Sequence, residues 1–162
     1  MCRRDRLLND ALAAAISSKS TMCFKLGAVV AHKGRVVGTG TNCSLRSKYG
    51  REYHVSLHAE MAACLDAMSR TRNIRGMEVY VARVLKNGEM AIAKPCMMCL
   101  KRLIEYGVKR VCYSDGILYT VSKPTDLARQ SFDSNVYIIT DTQRKFPQLF
   151  LRDVELLRAE LI

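Results

Sequence analysis

The sequence predicts one α/β domain, a mixed sheet of about five strands covered by helices on both faces in a three-layer αβα arrangement. Three observations carry this. The length of 162 residues suits a single core. Apolar residues alternate between helical spacing and short strand-like runs along the chain. The resulting order is helix, hairpin, helix, strand, helix, strand, strand, helix, which packs as a sheet between helices. No internal repeat and no Pro/Gly-rich linker divides residues 1–162.

Residues 5–17 place Leu7, Leu8, Ala11, Leu12, Ala15 and Ile16 on one helical face. In "KLGAVVAHKGRVVGTG" two apolar runs flank Lys33-Gly34, which predicts a β-hairpin. A polar loop is expected from Thr41 to Tyr53. "SLHAEMAACLDAM" then reads as a helix, with Met61, Leu65 and Met68 at helical spacing and Ala59, Ala62 and Ala63 small enough for close packing. "MEVYVARV" is a buried strand, and Lys86-Asn87-Gly88 turns the chain before "MAIA".

Pro95 is expected in the first turn of the next helix, where its missing N–H costs nothing. Leu100, Leu103 and Ile104 form that helix's apolar stripe and Gly107 its stop. "RVCYSD" is a further strand. The pattern leaves two ways to continue the sheet, "GILYTVS" folding straight back as a hairpin or "VYIIT" entering parallel after a crossover. A C-terminal helix is expected over residues 148–161.

The balance of 26 Lys plus Arg against 15 Asp plus Glu gives a formal net charge of +11. This favours anionic partners, nucleotides or nucleic acid, although a solvated basic surface accounts for charge alone. Seven cysteines, with Cys96 and Cys99 the single C-x-x-C pair, argue for reduced thiols and a metal or redox site rather than a disulfide framework. The basic start is followed by an apolar run broken by Asn9 and Asp10, which reads as an amphipathic helix and not as a signal peptide. No run is long enough to span a bilayer, so no membrane partner and a cytoplasmic or nuclear location, cytoplasmic first, are expected.

The chemistry concentrates in His58-Ala59-Glu60 and Pro95-Cys96-Met97-Met98-Cys99, each at the start of a predicted helix. A catalytic zinc takes three protein ligands and keeps a fourth position open. Cys96 and Cys99, at i and i+3, share a helix face and can grip one Zn²⁺, with His58 as third ligand. A helix N-terminus lowers cysteine pKa, which suits thiolate ligands. Glu60 is then left to carry protons. Taken singly, "HAE" reads as local capping, and C-x-x-C as a redox pair or half of a structural zinc site. A second C-x-x-C, which a four-cysteine site would need, is absent.

In this order, with Pro directly before the first Cys, the motifs match the zinc deaminase signature H-x-E…P-C-x-x-C. From about Leu7 to Asp115 the chain resembles the cytidine and deoxycytidylate deaminase superfamily. The resemblance implies a cytidine-deaminase-like fold, with His58, Cys96 and Cys99 as zinc ligands and Glu60 as proton shuttle. The implied reaction is hydrolytic deamination, water replacing the ring amine and ammonia leaving. It further implies that the Ala59 backbone and the Pro95 carbonyl touch the base, that Asn42 contacts sugar or base, and that Leu26, Gly27 and Ala28 wall the substrate.

"YHVSLHAEM" and "RVCYSDG" look more like CMP/dCMP deaminases than tRNA adenosine deaminases, which usually carry Glu where Lys94 stands. The tryptophan common in polynucleotide cytidine deaminases is missing. In the loop "SLRSKYGREYH", Arg46, Lys48 and Arg51 are candidates for a substrate phosphate, with a solvated basic loop as the equal alternative. His54 reads as a loop histidine. Family likeness also implies a homo-oligomer. The expected activity is thus zinc-dependent deamination of a cytosine nucleotide or nucleoside, CMP or dCMP first. The alternatives are an editing deaminase of RNA or DNA and an inactive zinc-binding module.

Overall fold

The computed structural model describes residues 2–19, 24–46, 52–116 and 119–129, with backbone only for 43–46 and 52–56. The expected strand "VYIIT" and the helix over 148–161 lie outside the described residues.

The first element is helix α1 (Arg3–Ser17), whose start is held by the Asp5 carboxylate accepting from the Cys2 N–H at 3.1 Å. Strands β1 (Phe24–His32) and β2 (Arg35–Thr41) form the expected antiparallel hairpin. Its turn places Lys33 at φ 50° and Gly34 at φ 82°. Both central residues are left-handed, as the twist of a two-residue hairpin demands. The stretch expected as a polar loop instead carries two short strands, β3 (Cys43–Arg46) and β4 (Glu52–Leu57), paired antiparallel as a separate ladder. Its charged residues gave no apolar alternation from which to read that pairing.

Helix α2 (Ala59–Arg70) follows, then β5 (Glu78–Leu85), β6 (Met90–Ala91), α3 (Met97–Glu105), β7 (Arg110–Ser114) and β8 (Tyr119–Ser122). The main sheet runs β2-β1-β5-β7-β8, with short β6 also paired to β5. Among the described strands only β5 and β7 pair in parallel. β8 pairs antiparallel with β7, so the chain folds straight back and the hairpin alternative holds. The sheet is mixed, as expected, and residues 124–129 are helical beyond it. No described helix is long and apolar enough to cross a membrane.

Strand alternation sends side chains to two cores. Val29, Ala31, Tyr80, Ala82 and Cys112 pack with Leu7, Leu8 and Ala11 of α1. Ala28, Val30, Val79, Val81, Val111 and Tyr113 pack with α2, α3 and Leu127 on the other face. The three layers are therefore α1, sheet, and α2 with α3.

Close helix contact depends on glycine. A Cβ on Gly27 would overlap the α1 backbone at Ala11 and Ala15. On β2, a Cβ at Gly38 or Gly40 would drive into α2 at Ala59, Ala63 and Ala67. Those alanines recur every four residues, so one face of α2 lies directly on the "GTG" of β2. The close packing expected of Ala59 and Ala63 holds, and Met61 and Met68 pack beside the core as expected, but Leu65 does not. Ala59, Ala63, Cys64 and Ala67 are buried, whereas Leu65 is 52% exposed. In α1 the expected face is the inward one, with Leu7, Leu8, Ala11 and Ala15 buried and Leu12 packed beside them, and Ile16 alone departs from it at 61% exposed. Helix α3 does bury Leu100 and Leu103, with Ile104 packed beside them. It stops at Gly107 (φ 72°) with the paired bonds Val108 N to Leu103 O and Gly107 N to Ile104 O, both 3.0 Å.

Candidate active site

Two helix N-termini meet at one end of the sheet. His58 is the N-cap of α2, with extended backbone at φ −72°, ψ 151°, and Cys96 is the N-cap of α3, at φ −71°, ψ 166°. Pro95 therefore lies one residue before the cap and not in the first turn. Its ring favours extended geometry around it, and it is buried. Neither side chain serves as a helix cap, and both turn instead toward the same cluster.

His58, Cys96 and Cys99 come together with their ligand atoms all within 4.8 Å of one another. The His58 Nδ1 lies 3.5 Å from Cys96 Sγ and 3.3 Å from Cys99 Sγ. A hydrogen bond with Cys99, aided by His58 and working against desolvation, holds the Cys96 thiol down at about 4. Cys99 moves the opposite way, its proton retained by the bond to Cys96 and by burial. The Cys96 contact raises His58 to about 8.

Glu60 is 3% exposed on the first turn of α2, and its Oε2 has no partner. Burial is the main reason its carboxyl is held above the ordinary carboxylate range. A buried oxygen without a partner is costly. One nitrogen and two sulfurs within reach of a single ion form the donor set of a three-ligand zinc site, and the spare carboxylate beside them suits a water at the open position. The residues fit Zn²⁺. Beneath Glu60, one helical turn on, the Cys64 thiol is pushed up to about 12, by burial first and the Glu60 charge second.

The approach to α3 is set from the sheet. Ser114 Oγ donates to Ala91 O at 2.7 Å, and Ala93 N donates to Ser114 O at 2.8 Å. Ser114 is fully buried, yet "YSDG" carries no pattern that would single it out.

Asn42 is buried just past the end of β2. Its Oδ1 accepts from Leu26 N at 2.8 Å and its own N–H donates to Leu26 O at 3.2 Å, so it ties the strand end to β1. Leu26 and Ala28 face the α2 side, whereas Gly27 faces α1 and so stands off the site. Arg46 ends β3 with its backbone alone described, and Lys48 and Arg51 lie outside the described residues. The side chain of His54 is likewise outside the description.

An αβα domain that holds such a donor set and a buried carboxylate at converging helix starts is of the zinc-deaminase class. Residues 1–115 match the model of the cytidine and deoxycytidylate deaminase zinc-binding region, and the chain belongs to that family.

Solved structures agree in fold. Cytidine deaminase from Burkholderia pseudomallei superposes with a TM-score of 0.59 at 24% identity, over 76% of this chain and 94% of that one. Cytidine deaminase from Mycobacterium leprae gives 0.55 at 26% identity, over 78% and 98%. The dCMP deaminase of cyanophage S-TIM5 gives 0.54 at 24% identity, over 78% and 90%, and that enzyme also has a structure in complex with dCMP and dUMP. A search of curated proteins finds no match.

Proposed function

We propose that this chain is a zinc-dependent hydrolytic deaminase of a free cytosine nucleotide or nucleoside, with CMP or dCMP as the preferred substrate. The observation that carries the reading is the unpartnered, buried Oε2 of Glu60 beside the His58–Cys96–Cys99 cluster.

His58, Cys96 and Cys99 would hold the ion, and zinc there supplies a Lewis acid that makes water nucleophilic at neutral pH. Glu60 takes one proton from water and passes it to the ring nitrogen, then takes the second from the added hydroxyl and passes it to the departing amine. Its raised carboxyl pKa suits both halves of that transfer. Water adds at the amine-bearing carbon, the C–N bond breaks and ammonia leaves. The first N–H groups of α2 have no partner within the helix; the Ala59 N–H would donate to the carbonyl of the base, and the Pro95 carbonyl would accept from its amine. Asn42, fixed on β1, marks the sugar end. Arg46, Lys48 and Arg51 remain the loop candidates for a phosphate.

The formal charge of +11 favours a second reading, deamination within single-stranded nucleic acid. Self-association belongs to the first reading by likeness to the family. Ammonia release from CMP, dCMP, cytidine, AMP, guanine and single-stranded oligonucleotides, measured on zinc-loaded protein, separates the readings. Turnover of CMP or dCMP is expected. Turnover of oligonucleotides alone would establish the second reading in its place.

A further inference from the structure

Among the described residues two buried polar side-chain atoms lack a hydrogen-bond partner, Glu60 Oε2 and Arg83 Nε. The first belongs to the proton shuttle. The second sits on β5, and the catalytic scheme makes no use of it.

Arg83 pairs in register with Leu26 of β1 on one side and Ala91 of β6 on the other. Residues paired across strands share a face, so its side chain lies with Leu26, Ala28 and Val81 on the side covered by α2 and α3. Its position along the strand is equally telling. Gly40 lies against Ala59 and Ala63, so α2 begins at the Asn42 end of β2. Asn42 in turn holds the N–H of Leu26, the direct partner of Arg83. Arg83 therefore stands two strands across from Asn42, with Leu26 of β1 between them, at the end of the sheet where His58 and Glu60 begin their helix.

The guanidinium carbon lies 4.3 Å from the centre of the Phe24 ring. A guanidinium held over an aromatic face keeps its N–H donors available as a planar fork. Among the described residues no carboxylate forms an ion pair with Arg83. The ion pairs among the described residues engage Arg70, Arg102 and Arg110. A half-buried cation with an unpaired donor is costly to keep, and its natural complement is an anion presenting two oxygens.

We propose that Arg83, stacked on Phe24, recognises the phosphate of a mononucleotide and so sets the preference for nucleotide over nucleoside. This deepens the proposed function and rests on it. It assigns the phosphate to the sheet end of the site, in place of the loop cations alone.

The test compares zinc-loaded wild type with Arg83→Gln on dCMP, deoxycytidine and a single-stranded cytosine oligonucleotide, with zinc content measured for each. In Arg83→Gln the ratio of kcat/KM for dCMP to that for deoxycytidine is expected to fall about ten- to a hundred-fold, mainly through KM for dCMP. Arg83→Lys, which keeps the charge and loses the fork, is expected to fall partway. Phe24→Leu, which removes the stacking face, lowers the ratio several-fold. Should Arg83→Gln fail to fold, the other two variants decide.

An equal loss on dCMP and deoxycytidine, or an unchanged ratio, overturns the assignment while the deaminase reading stands. A loss confined to the oligonucleotide overturns it in favour of a polynucleotide phosphate. Wild type that releases ammonia from none of the three substrates, with zinc bound, sinks the deaminase reading and this assignment with it.

Discussion

Replacing Glu60 by Gln isolates proton transfer from everything else the site does. The amide matches the carboxylate in volume, so no cavity opens at a residue that is 3% exposed, and the packing of α2 on β2 is untouched. The three groups that fit zinc remain. What is lost is the group that accepts and returns a proton, worth about 10²- to 10⁴-fold in kcat. At about 1.4 kcal/mol per factor of ten, that corresponds to about 3–6 kcal/mol of barrier. The fold should not suffer, because Oε2 has no partner to lose and a buried carboxylate is exchanged for a neutral group. The assay is ammonia release from dCMP at saturating substrate, beside zinc content and a melting curve for the same preparation. A variant with wild-type zinc content and kcat within about threefold of wild type would refute the assignment of Glu60 as the shuttle, since general acid–base transfer accounts for at least 10²-fold.

Other consequences follow from the same geometry. Cys96, held at about 4, is a thiolate at pH 6, whereas Cys64 and Cys112, both pushed up to about 12 by burial, are not. Brief alkylation of metal-free protein at pH 6 should therefore mark Cys96 first, and added zinc should suppress it; mass mapping of the peptides reads the outcome. Cys99→Ser and His58→Ala should each lower bound zinc well below one ion per chain, measured by elemental analysis, and abolish turnover. Gly40→Ala should cost about 1–3 kcal/mol in denaturant unfolding, because the added methyl meets the backbone of α2 at Ala59 and Ala63. For Cys112 the sign of the pH effect is set by a folded pKa above the unfolded one. Its contribution is present at neutral pH and is lost as pH rises from about 9 toward 12. Cys112→Ala should flatten that part of the stability curve, followed by the denaturation midpoint against pH.

How far the chain could be read in advance depended on whether a feature was local. The turn at Lys33-Gly34, the stop at Gly107 and the strand "MEVYVARV" were legible because turn chemistry and short apolar runs act over a few residues. The inward faces of α1 and α2 were legible in most positions, but Ile16 and Leu65, expected inside, lie outside, and Ala14 and Ala67 are buried instead. Hydrophobic periodicity ranks the largest apolar residues as core. Here the decisive requirement was close approach to Gly27, Gly38 and Gly40, and only small side chains meet it. Ladder β3–β4 escaped notice because its pairing is made by backbone groups across a charged stretch.

The site divides in the same way. The spacing of His58, Glu60, Cys96 and Cys99 was enough by itself to name a zinc chemistry, because ligand type and helical position are properties of a short segment. That His58 Nδ1 meets both sulfurs, that Glu60 is buried with an oxygen to spare, and that Gly27 turns away from the site were decided by tertiary structure. So was the placement of Arg83 over Phe24, 59 positions apart in the chain (83 less 24) and joined only by the register of β1 against β5. Residue types dictate which chemistry is available. Which groups share a pocket depends on the sheet that brings distant segments together, and no local pattern encodes that.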